Sequence, residues 1–105
     1  MTFRYRIYGR ITSDDDGRPL EGLLVRAFDR DVAFDDDLGS ARSDANGEFA
    51  IQFTELDFRD VVETRPDIYL RVFDGQAELI STRGKTRWNA HADERFEIRI
   101  PRAKT

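Results

Sequence analysis

The stretch Leu38–Phe53, LGSARSDANGEFAIQF, limits this chain more than any other. Two strand-like runs meet at Ser43-Asp44-Ala45-Asn46-Gly47. Past the turn, Phe49, Ile51 and Phe53 alternate with Glu48, Ala50 and Gln52, which gives one apolar and one polar face. Asp44 is placed to fold its carboxylate onto the amides of Asn46 and Gly47. Gly47 is placed to take the positive φ of a three-residue hairpin loop with a bulge. The stretch predicts a β-hairpin with a core face.

The same period-two grammar recurs along the chain. From Phe3 to Ser13, Phe3, Tyr5, Ile7 and Ile11 share one face, with Arg4, Arg6, Tyr8 and Arg10 on the other. Gly9 interrupts the apolar series and predicts a bulge or a close backbone approach. Asp14-Asp15-Asp16-Gly17-Arg18-Pro19 reads as a turn. Leu23–Asp29 follows as a strand with Val25 and Ala27 inward, and Leu24 and Phe28 on the other side suggest cover on both faces. Arg30–Asp37 is an acidic loop. Thr54–Arg65 has helical spacing, with Thr54 placed to cap and Phe58, Val61 and Val62 on one face. Pro66 should end that helix. Ile68–Asp74 places Ile68, Leu70 and Val72 inward and Tyr69, Arg71 and Phe73 outward. A short strand near Leu79–Thr82, a loop carrying Trp88 and a closing strand at Arg95–Ile100 complete the pattern.

Seven short strands separated by turns predict a single domain over residues 1–105. Its expected fold is an all-β, seven-stranded antiparallel Greek-key β-sandwich with one short helix near residues 55–64. With 39% apolar residues and aromatics spread along all 105 positions, disorder is not expected. The net charge of −4 offers no support for general nucleic-acid binding. The absence of cysteine removes disulfides, thiolate zinc sites and a Cys nucleophile. No segment has the pattern of a secretory leader or the length of a membrane span, so the expected location is the cytoplasm, or outside by a route without a cleaved signal. No membrane partner is expected, and the oligomeric state is left open.

Catalysis needs converging groups. His91 is the only histidine and lies in a polar loop near Asn89 and Asp93, while Ser40, Ser43 and Ser81 have no nucleophile-elbow context. The chain is therefore expected to be non-enzymatic and free of cofactor. Asp29, Asp31, Asp35, Asp36 and Asp37 flank one loop, and oxygen ligands in a flexible loop suit Ca²⁺. They lack the D-x-D-x-D-G spacing, and a solvated loop needs the same composition. Arg4, Arg6 and Arg10 share the outer face of one strand, as Arg95 and Arg99 share another's. If the first and last strands are neighbours they form a basic stripe with Tyr8, and Tyr69, Arg71 and Phe73 add aromatic and basic surface. Arg with aromatics is the composition of binding hot spots, although alternating charge also keeps an outer strand soluble.

Gly9-x-Ile11, Gly17-Arg18-Pro19-Leu20-x-Gly22-x-x-Val25, Leu38-Gly39-x-Ala41 and Ser43-Asp44-x-x-Gly47-x-Phe49-x-Ile51 together resemble the transthyretin-like, or carboxypeptidase-regulatory-like, β-sandwich domains. The later Arg65-Pro66-Asp67-Ile68-Tyr69-Leu70-x-Val72-Phe73-Asp74, with Asn89-Ala90 and Phe96-x-Ile98-x-Ile100-Pro101, is similar to a bacterial branch. In that branch such modules are appended to toxin-complex and contractile secretion proteins. Other functional branches of the family ask for residues this chain lacks. Hydroxyisourate hydrolases use several histidines and a C-terminal Tyr-Arg-Gly-Ser, intradiol dioxygenases hold iron with two Tyr and two His, and isopeptide-forming domains need an early-strand Lys. The resemblance thus implies an adaptor or docking domain with a protein partner. The alternative is a Ca²⁺- or carbohydrate-binding module built on the loop at 29–37 with Trp88.

Overall fold

The computed structural model describes residues 4–57 and 65–101. Among the described residues seven strands run in chain order: β1 (Arg4–Ser13), β2 (Leu24–Asp29), β3 (Asp36–Arg42), β4 (Glu48–Thr54), β5 (Ile68–Asp74), β6 (Ala77–Ser81) and β7 (Asp93–Ile100). They form two sheets, one of three strands ordered β4-β1-β7 and one of four ordered β3-β2-β5-β6. Period-two alternation makes β1, β4 and β7 amphipathic, while β2 and β5 bury residues on both faces. Facing the sheets against each other buries Ile7, Ile11, Val25, Ile68, Leu70, Val72 and Ile100 almost completely. The expected β-sandwich is present.

One pairing departs from the antiparallel expectation. β1 and β7 run parallel, with Gly9 opposite Phe96 and Ile11 opposite Ile98. The cause is topological. β6 ends at the end of the sandwich where β1 begins, so a chain that crosses there to the other sheet must start β7 alongside the start of β1. The three-stranded sheet is mixed, and every other strand pair is antiparallel.

Gly9 resolves as a close approach rather than a bulge, since β1 keeps unbroken register through it on both sides. A Cβ built on Gly9 would lie 1.9 Å from the Phe96 carbonyl oxygen. No side chain fits between these two strands at that point.

The stretch Leu38–Phe53 is not a hairpin. β3 belongs to the four-stranded sheet and β4 to the three-stranded one, so residues 43–47 form a corner at which the chain changes layer. Asp44 Oδ1 accepts from the amides of Asn46 and Glu48, both at 2.9 Å, and the Gly47 amide instead donates to the Asp44 carbonyl at 2.8 Å. Gly47 has φ +75°, and its carbonyl accepts from Ile11 N–H at 2.7 Å, which fixes the corner to β1. Ser43, buried in the same corner, donates from Oγ to the Leu20 carbonyl at 2.7 Å and accepts from Leu23 N–H at 3.0 Å. The turn chemistry legible in the sequence therefore serves a layer change.

Of the helix expected near residues 55–64, Glu55–Asp57 form a 3₁₀ turn, and 58–64 lie outside the described residues. Thr54, placed to cap in the sequence, accepts through Oγ1 from Leu56 N–H at 3.3 Å, and Asp57 Oδ2 accepts from Thr54 N–H at 3.0 Å, a reciprocal capping pair. A second 3₁₀ turn, Arg83–Lys85, lies in the connection to β7. Among the described residues no helix is long and apolar enough to cross a membrane.

Candidate functional site

The partner-binding candidates divide between the two outer faces of the sandwich. Arg4, Arg6, Tyr8, Arg10, Arg95 and Arg99 do share the outer face of the three-stranded sheet, because β1 and β7 are neighbours. The register sets Arg6 beside Asp93, Tyr8 beside Arg95 and Arg10 beside Glu97. Carboxylates interrupt the basic stripe: Arg6 pairs with Asp93 at 3.2 Å, and Arg95 pairs with Glu97. Arg6 also lies 4.0 Å from the Tyr8 ring centroid, and Arg10 donates to the Asn46 carbonyl at 3.0 Å. Most of this face is satisfied by its own neighbours.

Tyr69, Arg71 and Phe73 lie on the outer face of the four-stranded sheet. There Phe28 is buried, as cover on both faces of its strand requires, and so is Tyr69. Phe28 and Tyr69 stack at 5.3 Å, with the Arg26 and Arg71 guanidiniums 5.3 and 5.6 Å from the Phe28 centroid. Arg71 also reaches the Phe73 ring at 5.1 Å. The cations snorkel over rings that the alternation points outward, and so close them to solvent. Tyr69 is thus a structural residue of this face rather than an open contact point.

The acidic loop is distributed in the same way. Asp29 is fully buried and accepts from Asp67 N–H at 2.8 Å, tying the end of β2 to the approach to β5. Asp35 accepts from the Tyr69 hydroxyl, from Asp31 N–H at 2.9 Å and from Arg83 Nε at 3.4 Å. Asp37 takes Arg26 at 2.8 Å and Gly39 N–H at 2.8 Å. Asp36 lies within β3 opposite Asp29, and Asp31 Oδ1 accepts from Val32 N–H at 2.6 Å. Among the described residues no three Asp, Glu or His side chains gather as a metal set. His91 is exposed, and its backbone N–H donates to Glu94 at 2.7 Å.

The Asp35–Tyr69 contact leaves a titration signature. Burial raises the Asp35 carboxyl, but the Tyr69 hydroxyl, the Asp31 amide and Arg83 outweigh it and hold the group below its ordinary 3.8. Burial raises Asp37 too, and Arg26 with the Gly39 amide brings it below 3.8. Burial, then the hydrogen bond to Asp35, lifts Tyr69 above 10.0. A lowered acid stabilises the fold above its unfolded value and loses that contribution as pH falls through its folded value. A raised phenol stabilises below its unfolded value and loses the contribution as pH rises through the folded one. The urea midpoint should therefore hold from about pH 5 to 9 and decline on both sides. Tyr69→Phe should cost about 1.5 kcal/mol at pH 7 and flatten the alkaline limb. An alkaline limb unchanged in that variant would show that the pair carries no linkage.

The sequence points to Trp88 and the loop at 29–37 but does not single out Val32, Phe34 and Leu56 as exposed surface. Among the described residues Val32 is 102% exposed, Phe34 83%, Leu56 67% and Trp88 60%, the large apolar side chains most open to solvent. All four lie in connections at one end of the sandwich, where β2 and β4 finish and β1, β3, β5 and β7 begin. Hydrogen bonds tie this end together: Arg30 N–H donates to the Asp67 carbonyl at 2.7 Å, and Arg6 N–H to the Ala92 carbonyl at 2.7 Å. The Arg30 guanidinium sits 5.3 Å from the Trp88 ring centroid and donates to the Arg83 carbonyl at 3.0 Å. Val32 and Phe34 interrupt a run of aspartates without strand period, and that isolation was the one local signal available.

The fold defines a two-layer β-sandwich of three and four strands. No protein-family model matches the sequence, and no curated protein matches it. Among solved structures it is similar to part of a 9R-lipoxygenase from Cyanothece PCC8801, with 23% identity over 93% of this chain and a TM-score of 0.66. The chain spans 16% of that lipoxygenase. It is also similar to the dioxygenase domain of a dioxygenase carbohydrate-binding protein fusion from Streptomyces sp. SirexAA-E. There the identity is 14% and the TM-score 0.52, over 94% of this chain and 80% of the other. At these identities the likeness is one of fold.

Proposed function

We propose that this chain is a non-enzymatic, transthyretin-like interaction domain, an adaptor of the kind appended to bacterial toxin and secretion assemblies. It docks a protein partner through the end that carries Val32, Phe34, Leu56 and Trp88. The observation behind this reading is the collection of these four apolar side chains in loops at one end. Open apolar groups gathered in one place favour being covered, and an aromatic backed by Arg is the usual centre of a contact surface. The outer sheet faces support it less, since their Arg residues are largely paired within the chain. The spread of Ser, His and acidic groups over separate elements supports the non-catalytic part.

The test compares partner capture by the parent domain with capture by a Phe34→Ser, Trp88→Ser variant. Both residues are exposed, so the variant should melt within a few degrees of the parent and lose the partner. Undiminished capture by a folded double variant would remove this end from the interface. Saturable retention on a glycan array, abolished by Trp88→Ala, would move the reading to a carbohydrate-binding module.

A further inference from the structure

We propose that the outer edge of β7 accepts an extended segment of a partner protein, added as an extra strand, whose alternate residues are apolar and acidic. The unequal layers lead to this inference. On the β3/β4 side the sheets are joined by the corner at residues 43–47. On the other side β6 extends the four-stranded sheet past β7, the last strand of its own sheet. The overhang leaves a groove of about 550 Å³ between the two edges, with Ile80 of β6 and Ile98 of β7 in its lining. Ile80 is half-buried and packs on the core, so the groove continues the core outward. A fourth strand beside β7 would cover it with alternate side chains and use the edge's backbone groups.

The charge at the rim selects the chemistry of that strand. Lys85 and Arg99 line the groove and form no ion pair among the described residues, while Glu97, the acidic group there, pairs with Arg95. Acidic side chains on the incoming segment would meet these two cations. A second copy of the sandwich fits poorly. Joining β7 to β7 would place the two strands about 4.8 Å apart and drive each overhanging β6 into the other. A single segment avoids that collision. None of the residues that line the groove is among the four apolar residues of the proposed function.

The test uses a labelled heptapeptide alternating Val and Glu, with a Val and Lys peptide as its control. Anisotropy titration should show the acidic peptide binding at least about tenfold more tightly, with the advantage lost on Lys85→Glu, Arg99→Glu. Amide exchange should slow in β7 on saturation and stay unchanged in β4. Binding of the acidic peptide should persist in the Phe34→Ser, Trp88→Ser variant, so either proposal can fail alone. Equal affinity for both peptides, protection confined to β4, or no binding at millimolar peptide would overturn the inference. So would a concentration-dependent dimer that protects β7 without peptide.

Discussion

Gly9→Ala is expected to destabilise the domain by about 3 kcal/mol or more, a fall in melting temperature of at least about 12 °C. The added methyl would sit 1.9 Å from the Phe96 carbonyl oxygen and 2.8 Å from its carbon, both backbone atoms with no rotamer to yield. Relief requires β7 to move away from β1, which breaks the parallel ladder that holds the last strand. Gly84→Ala is the matched control, because nothing lies within 4 Å of the Cβ that it would add. It should change stability by less than about 0.5 kcal/mol. A Gly9→Ala protein that melts with the parent would mean β1 and β7 do not run this close.

Gly47→Ala should approach the same cost by two routes. Its φ of +75° penalises any L side chain, and the new Cβ would meet the Ile11 carbonyl oxygen at 2.3 Å. The strain amounts to about 1 kcal/mol and the clash to about 1–3 kcal/mol more. Gly17→Ala separates the two contributions. Gly17 has φ +74° with open space around it, so the variant should show the conformational cost alone. Equal midpoint losses for Gly17→Ala and Gly47→Ala in urea would mean that the corner does not press on β1.

The strands most legible in the sequence carry their own evidence, an apolar side chain at every second residue. Ile7 and Ile11, or Phe49, Ile51 and Phe53, declare a buried face without reference to any partner. Destination was not legible. The residues at 43–47 encode a tight turn, and the same turn can return a strand beside its predecessor or deliver it to the other layer. What decides is the bond from Ile11 N–H to the Gly47 carbonyl and the fit of Ser43 on the loop at 20–23, contacts that local sequence does not specify. The parallel course of β7 was hidden for the same reason.

The candidate surfaces were legible in direction and not in exposure. Alternation correctly turned Tyr69 and Phe28 away from the core, yet guanidiniums lie over both, those of Arg26 and Arg71 over Phe28 and that of Arg83, from the turn after β6, over Tyr69. Outward and exposed are different properties when long cationic side chains lie over a sheet. Conversely, Val32 and Phe34 carry no periodic signal, and only the placement of their loop shows them unpacked.

The pairing of β1 with β7 bears on how the chain becomes folded. Arg6 and Asp93 are partners in register across 87 positions, so the central strand of the smaller sheet waits for the far end of the sequence. Until β7 arrives, that sheet is a two-stranded ribbon, too small to stand alone. Contacts of such long range close large loops before they return any stabilisation, which slows folding. During synthesis the apolar faces of β1 and β4 must then outlast the emergence of nearly every other strand. The aspartate-rich segments spaced between the early strands keep an incomplete, strand-exposing chain charged while it waits.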